Sequence, residues 1–277
     1  MSPPPPPPPF VAQALGDQEF RAFSAWIYRE SGIHLGEQKK ALVAGRLASR
    51  LRHHGLQRFG DYYELLHSPL HAPERQIAVD LLTTNETYFF REPRHFDFLR
   101  DQIVPAHAGG KPLRVWSAAC SSGEEPYSIA LVLRSTLGDG PWDILASDLS
   151  SRVLERARTA RYAMARASHI PPALLHAHCL KGTGRHEGVF AIAPEVAARV
   201  RFMQVNLNAP LPQLGEFELV FLRNVMIYFD APTKQAVLDR VLACLRPGGH
   251  LLIGHSESLA GLRTGLKAVA PATYLKP

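Results

Sequence analysis

From Leu113 onward, strand-like and helix-like runs alternate along the chain, and no other feature narrows the possible folds as far. "LRVWSAA" reads as a short strand, "EEPYSIALVLRSTLG" as a helix ended by glycine, "WDILASD" as a strand and "SSRVLERARTARY" as a helix. "FELVFLRNV", "PTKQAVLDRVLACL" and "GGHLLIGHS" repeat strand, helix and strand. This rhythm predicts an α/β domain on a mainly parallel sheet, here assigned to residues 95–277. Between Pro171 and Phe202 it pauses at "KGTGRHEGVFAIAPEVAARVRF", whose glycines and short apolar runs predict a hairpin subdomain inserted at about residues 171–202.

Residues 17–82 follow a helical pattern instead. "DQEFRAFSAWIYRESG" offers Asp17 as an N-cap, Phe20, Phe23 and Ile27 at near-helical spacing, and Gly32 as a stop. "EQKKALVAGRLASRLRHHG" follows, then "FGDYYELLHSP" with Asp61 as its cap, then a last helix from Pro73 to Leu82. This predicts a small all-helical N-terminal domain. Residues 1–16 form a proline-rich tail whose Pro3–Pro9 run favours an extended polyproline II arm. Residues 83–94, "TTNETYFFREPR", link the two domains, with Tyr88, Phe89 and Phe90 set between polar groups.

The chain has 277 residues, enough for two domains, and 46% of them are hydrophobic, enough for a real core. No run approaches the roughly 18 apolar residues that a membrane-spanning helix needs. The N-terminus lacks a basic-then-apolar signal pattern. Cys120, Cys179 and Cys244 are odd in number and far apart, which reads as buried thiols in a reducing compartment. A cytoplasmic protein is expected.

The net charge is +6, which suits an acidic partner: nucleic acid, an anionic membrane or an acidic protein surface. Residues 38–60 carry Lys39, Lys40, Arg46, Arg50, Arg52 and Arg58 with no acidic residue. On a helical projection Lys39, Arg46, Arg50 and His53 share one face, beside an apolar stripe of Ala44, Leu47 and Leu51. A solvated face is the ordinary reading of such a helix, and an acidic helical substrate is the functional one. No nucleic-acid module accompanies these cations, nor do interleaved aromatics.

Ligands of open α/β sheets bind beyond the carboxyl ends of the strands. The first strand ends in "SAACSSGEE", a loop of small residues, and Asp148 ends the next, where an acid suits bidentate bonding to ribose hydroxyls. That arrangement serves a dinucleotide or S-adenosylmethionine equally. Three features favour the second. The loop lacks the GxGxxG that brings a pyrophosphate to a helix N-terminus. Glu124 and Glu125 at that terminus repel phosphate and suit a sulfonium or an amino group. "LRPGGHLLIG" is a turn and strand common late in methyltransferase sheets. Each has a plainer reading: Asp148 as a cap for the helix near Ser150, the glycine pair as a simple turn, the glutamates as first-turn dipole partners.

The stretches "TTNETYFFREP", "RVWSAACSSGEEPYSIA", "ASDLSSRVLERARTARY", "GTGRHEG", "FLRNVMIYFD" and "GHSES" resemble, in order, the chemotaxis receptor methyltransferases of the CheR type. The resemblance runs from about residue 17 to the C-terminus. It implies a Rossmann-like S-adenosylmethionine-dependent methyltransferase sheet behind a helical domain. It also implies methyl transfer to glutamate side chains on cytoplasmic helices of chemoreceptors. Carried over position by position, it implies cofactor contacts from Asn85, Thr87, Arg91, Glu125, Asp148, Asn206, Leu207, Arg223 and Asn224, with the linker closing over the cofactor. The basic face of Lys39, Arg46, Arg50 and His53 then becomes the receptor-recognition surface, with recruitment to membrane-bound receptor arrays. The inserted hairpin would offer a strand edge to a receptor's C-terminal peptide, although Ala191 stands where the tethering relatives tend to carry arginine.

A glutamate acceptor has a pKa near ~4.3 and is already ionised at neutral pH. No general base and no metal is required, and no HxxxH, CxxC or carboxylate ligand cluster argues for one. Arg91 is expected chiefly to anchor the cofactor's carboxylate, because gripping the acceptor would stabilise the ground state most. Tyr228 is the candidate for a neutral hydrogen bond positioning the glutamate, against its plainer reading as a core aromatic. A structural role is expected for His255. Three rivals stay open: a non-catalytic sensor of S-adenosylmethionine or S-adenosylhomocysteine, a nicotinamide-dependent dehydrogenase, and a methyltransferase with a different acceptor.

Overall fold

The computed structural model describes residues 13–277. The Pro3–Pro9 run lies outside the described residues. The chain divides into two compact units between Thr84 and Asn85, so the linker from Asn85 onward belongs to the second unit. Among the described residues, no helix is long and apolar enough to cross a membrane.

The first unit packs four helices: α1 (Asp17–Ser31), α2 (Lys40–His53), α3 (Phe59–His67) and α4 (Ala72–Leu82). The spacing that predicted α1 does bury Phe20, Phe23 and Ile27, together with Trp26. In α2 the buried stripe is Val43, Leu47 and Leu51, with Ala44 only half-buried. The expected caps are corrected at two helices. Gly16 is the N-cap of α1, and Glu19 reaches back to its amide at 2.8 Å; Asp17 is the first helical residue. The N-cap of α3 is Arg58, and Asp61 lies in the first turn, where its charge still suits the helix dipole. Gly32 ends α1 at φ 75°, a left-handed conformation that glycine adopts without a Cβ penalty.

The second unit carries a seven-stranded sheet in the order β6-β2-β1-β7-β8-β10-β9. Its strands are β1 (Leu113–Ser117), β2 (Trp142–Asp148), β6 (Val200–Gln204), β7 (Phe217–Leu222), β8 (Leu245–Ile253), β9 (Lys267–Ala270) and β10 (Thr273–Leu275). The first five pair in parallel and β10 runs antiparallel to β8 and β9. Strand order reverses between β1 and β7, which is the switch point where such sheets open a crevice for a ligand.

The insertion is a three-stranded antiparallel sheet in the order β3-β5-β4, not a simple hairpin. Its strands are β3 (Arg161–Ala163), β4 (Cys179–Lys181) and β5 (Val189–Ile192). The predicted span of 171–202 is therefore corrected at both ends. "RYA" is too short to show a period-2 pattern, so β3 was hidden behind the preceding helix, Ser151–Arg158. "VRFMQ" at the other end is β6, the edge strand of the main sheet, in parallel register with Ile144 to Asp148. Its burial does not alternate, because an edge strand covered on one side gives no clean in–out signal.

Candidate active site

The opening of the crevice is built from loops that leave the carboxyl ends of β1, β2, β6 and β7. After β1 the chain turns through Ser121 and Gly123 into the helix Glu124–Leu137. Gly123 sits at φ 96°, and a Cβ there would stand 2.7 Å from the Tyr162 hydroxyl, so both backbone and space demand glycine. The Ser117 hydroxyl donates to Glu125 Oε1 at 2.7 Å, and Arg223, just past β7, donates to Glu125 Oε2 at 2.9 Å. Burial pushes the Glu125 carboxyl above its ordinary pKa while Arg223 pulls it back. Asp148 closes β2, and its two oxygens accept the amides of Ser121 at 2.8 Å and Ser150 at 2.9 Å. It is therefore more than a cap for the following helix, whose N-cap is Ser150 itself.

The linker answers the sequence expectation only in part. Phe89 and Phe90 are buried, Phe89 against the rings of Tyr162 at 4.9 Å and Phe190 at 5.7 Å, Phe90 against Phe96 at 4.9 Å. Tyr88 is instead 39% exposed and leans on His169 at 4.9 Å. The linker backbone is tied to the pocket: the Ser121 hydroxyl donates to the Asn85 carbonyl at 2.8 Å, Arg166 to the Thr87 carbonyl at 2.7 Å, and the Phe90 amide to Ser128 Oγ at 2.9 Å. Arg91 donates to the Glu86 carbonyl at 3.0 Å and lies over the Tyr88 ring. It forms no ion pair among the described residues, which leaves its charge available to an anion.

Arg223 is buried, and its two terminal nitrogens are spent on Glu125, Glu92 and the Arg91 carbonyl. Asn224 donates to Glu92 Oε1 at 3.3 Å. Burial alone would raise the Glu92 pKa, but Arg223, Asn224 and the His255 amide outweigh it and hold the carboxyl below its ordinary value. Asn206 follows β6 and accepts the Asn208 amide at 2.9 Å, while Leu207 is buried with its carbonyl bonded to Arg240 at 3.0 Å. Tyr228 is half-buried in a single 3-10 turn after β7.

Three groups here escaped the sequence reading as site residues. Glu257 accepts the amides of Asn224 at 2.8 Å, Met226 at 2.7 Å and Gly254 at 2.7 Å, and so shapes the turn that carries Asn224 and Tyr228. Burial raises its pKa although these bonds oppose the shift. Glu92 joins Arg223 and Asn224, and Arg166 joins the linker to the β1 loop. Glu257 and Glu92 lie within "GHSES" and "FFREP", but nothing in the pattern separates a hub from its neighbours.

Glu92, His95 and His255 place ligand-type atoms within 4.8 Å of one another, the one such group among the described residues. His95 is 1% exposed, neither ring nitrogen makes a hydrogen bond, and burial beside Arg223 pushes its pKa down to about 3. A cation added there would compete with Arg223 for Glu92.

The recognition face of α2 is corrected at two residues. Arg50 donates from Nε and Nη2 to the buried Glu74 at 2.7 and 2.6 Å, and the Tyr62 hydroxyl completes that carboxylate at 2.7 Å. Burial would raise the Glu74 pKa, yet these bonds and His54 hold it at about 2. Arg46 donates to the carbonyls of Leu82 and Thr83, both at 2.9 Å, at the C-terminus of α4. The acid-free window misled because Glu74, and Asp17 for Lys40, come from other helices. Lys39 and His53 are exposed.

The family model "CheR methyltransferase, all-alpha domain" matches residues 18–83, and "CheR methyltransferase, SAM binding domain" matches residues 85–275. A "Chemotaxis protein methyltransferase" of Escherichia coli is 44% identical over 252 residues, covering 90% of this chain and 87% of that protein. "Chemotaxis protein methyltransferase 2" of Pseudomonas aeruginosa is 41% identical over 260 residues, 93% of this chain and 92% of that protein. A "Chemotaxis protein methyltransferase" of Borreliella burgdorferi is 36% identical over 261 residues, 90% of this chain and 91% of that protein. Sheet order, the acid that ends β2 and these matches agree, and the chain belongs to the CheR methyltransferase family.

Proposed function

We propose that the protein transfers a methyl group from S-adenosylmethionine to glutamate carboxylates on the cytoplasmic helices of a chemoreceptor. The products are glutamyl methyl esters and S-adenosylhomocysteine. One observation carries the pocket: Asp148 ends β2 and Glu125 lies in the first turn of the helix that follows β1, the strand beside the switch point. Carboxylates in the first helical turn repel a diphosphate and favour a sulfonium or an ammonium.

When bound, S-adenosylmethionine supplies an electrophilic methyl on a positive sulfur. Asp148 would accept from the ribose hydroxyls, Glu125 would hold the amino group, and Arg91, which pairs with no carboxylate among the described residues, would hold the carboxylate. Asn85, Thr87, Asn206, Leu207 and Asn224 complete the walls. Arg223 acts as a strut: with its charge shared between Glu92 and Glu125, it fixes the pocket and leaves the acceptor ungripped. Tyr228 orients the acceptor by a neutral hydrogen bond. Attack by the acceptor carboxylate on that methyl would break the carbon–sulfur bond and release S-adenosylhomocysteine, with the electron pair left on sulfur. No proton moves, so alignment and a dry site do the work, and alignment alone can supply about 7–11 kcal/mol. Opposite charges vanish together in the transition state, so excluding water lowers the barrier.

Lys39 and His53, with Arg46 and Arg50 behind them, form the basic side that meets acidic receptor helices. The outer face of the insert carries Arg161, Ala191 and Leu180 in one row, and Leu180 on edge strand β4 is 54% exposed. An apolar peptide strand added along β4 is the matching tether, and it would bring the enzyme to receptor arrays.

The test is transfer of labelled methyl to a purified chemoreceptor cytoplasmic fragment, followed by release of volatile methanol in mild alkali. Base-labile label that disappears with Asp148→Ala or Arg91→Ala is the expected result. S-adenosylhomocysteine binding without labelling of any receptor fragment would overturn the acceptor assignment.

A further inference from the structure

The inserted sheet lies against the cofactor pocket as well as beside solvent. Its inner-face residues Tyr162 and Phe190, neighbours across β3 and β5, both pack against the Phe89 ring of the linker, and the Tyr162 hydroxyl donates to the Ser122 carbonyl at 2.8 Å, next to Gly123. Past β3, Arg166 donates to the Thr87 carbonyl at 2.7 Å and pairs with Glu124. Glu124 is fully buried as the first residue of its helix, with its other oxygen taken by the Ser122 hydroxyl at 2.7 Å. One guanidinium thus joins the linker backbone to the loop after β1.

We propose that Arg166 is a positioning residue for the cofactor, clasping the linker to the β1 loop so that Asn85 and Thr87 face Asp148 and Glu125. The linker is pinned to the pocket at the Asn85 carbonyl, the Thr87 carbonyl and the Phe90 amide. Arg166 supplies the middle pin. Fixing the Thr87 carbonyl fixes the peptide plane between Thr87 and Tyr88, and with it the direction of the Thr87 side chain. A single nitrogen, Arg166 Nη2, stands at both partners, donating to the Thr87 carbonyl and ion-paired with Glu124 Oε1, so one group ties the linker to the β1 loop. The insert is consequently part of the cofactor lid, and the outer face proposed for the tether lies one layer from it, since Arg161 and Ala191 alternate with Tyr162 and Phe190.

The plainer role, neutralising a buried glutamate, predicts a different result in a double mutant. Arg166→Met should destabilise the protein, because it strands the Glu124 charge. Arg166→Met with Glu124→Gln removes both charges and should recover thermal stability. Binding of S-adenosylhomocysteine, measured by calorimetry, should be weaker than in Glu124→Gln alone by about tenfold or more, the usual worth of a hydrogen bond from a charged group. Binding equal to that of Glu124→Gln alone, with stability recovered, overturns the positioning role. The inference rests on the pocket proposed above, and Asp148→Asn tests that pocket separately. If Asp148→Asn leaves binding unchanged, pocket and inference fall together. If it weakens binding and the double mutant does not, only the role of Arg166 falls. Because the readout needs no acceptor, failure of the receptor assignment would not disturb it.

Discussion

Phe90, Ser121 and Asn224 all adopt positive φ, at 54°, 49° and 56°, a region that side chains other than glycine rarely enter. Each has its amide hydrogen accepted by a side chain: Ser128 for Phe90, Asp148 for Ser121 and Glu257 for Asn224. Strain of this kind costs about 1–3 kcal/mol per residue, and the acceptors hold it where the pocket needs its walls. Gly254 completes the third case, because a Cβ there would stand 2.4 Å from Asn224 Nδ2 and 3.0 Å from its backbone nitrogen. Glu257→Ala should lower the unfolding free energy by about 1–3 kcal/mol, the cost of stranded donors, and reduce kcat/KM as the Asn224 turn relaxes. Denaturant unfolding and steady-state kinetics check both; unchanged kinetics would remove Glu257 from the site. The reaction itself should show no histidine limb. His95 stays neutral down to about pH 3, and the acceptor is already a carboxylate, so log kcat should be flat from about pH 6 to 9. A limb with a midpoint near 6.5 in the pH–rate profile would mean that a base takes part.

At the level of elements, the linker and the insert are coupled by packing. Phe89 has no exposed surface, and its partners come from β3 and β5, which lie far along the chain. Phe89→Ala should cost about 3–5 kcal/mol by leaving a cavity, and should weaken S-adenosylhomocysteine binding as the linker loosens. Calorimetric melting and titration measure the two effects. The insert's outer face offers a separable test. Leu180→Glu touches no buried contact and places a charge beside the proposed tether strand. Methylation of a receptor fragment ending in a native C-terminal peptide should fall several-fold, to the rate of the same fragment without that peptide, which should itself be unaltered. Equal rates with and without the peptide in the wild-type protein would remove the tether. The sequence pattern located β1, β2, β7 and β8, because buried parallel strands read as apolar runs between turn signals. It missed β3 and misassigned β6, because a three-residue strand has no period and an edge strand a weak one.

Across the whole molecule, each unit holds a buried titratable group that makes it acid-sensitive. In the second unit His95 faces Glu92, Arg223 and His255, and its folded pKa of about 3 lies below the ordinary 6.5. Its stability contribution is complete above pH 6.5 and is lost as pH falls toward 3, since the unfolded chain binds the proton first. In the first unit Glu74 faces Arg50, Tyr62 and His54, with a folded pKa of about 2 against an ordinary 4.5. Its contribution is complete above pH 4.5 and is lost between there and about 2. The second unit should therefore begin to weaken at a higher pH than the first. Trp26 reports the first unit and Trp116 with Trp142 the second, so fluorescence of a Trp26→Phe variant against the parent separates them. In His95→Gln the dependence between pH 6.5 and 4.5 should flatten.

Properties carried by local period and local chemistry were legible in the chain alone. These are the helical first unit, the parallel sheet, the acid that ends β2, the glutamates that open the helix after β1 and the ordered stretches that mark the family. Charge pairing needed the tertiary structure. Arg46 and Arg50 read as a free basic face until α4 supplied Glu74 and the carbonyls of Leu82 and Thr83, partners remote in sequence. The same holds for Glu92, Glu257 and Arg166, whose partners come from other loops. A periodic pattern records which side of an element is buried; which charge meets which is decided only when distant elements pack.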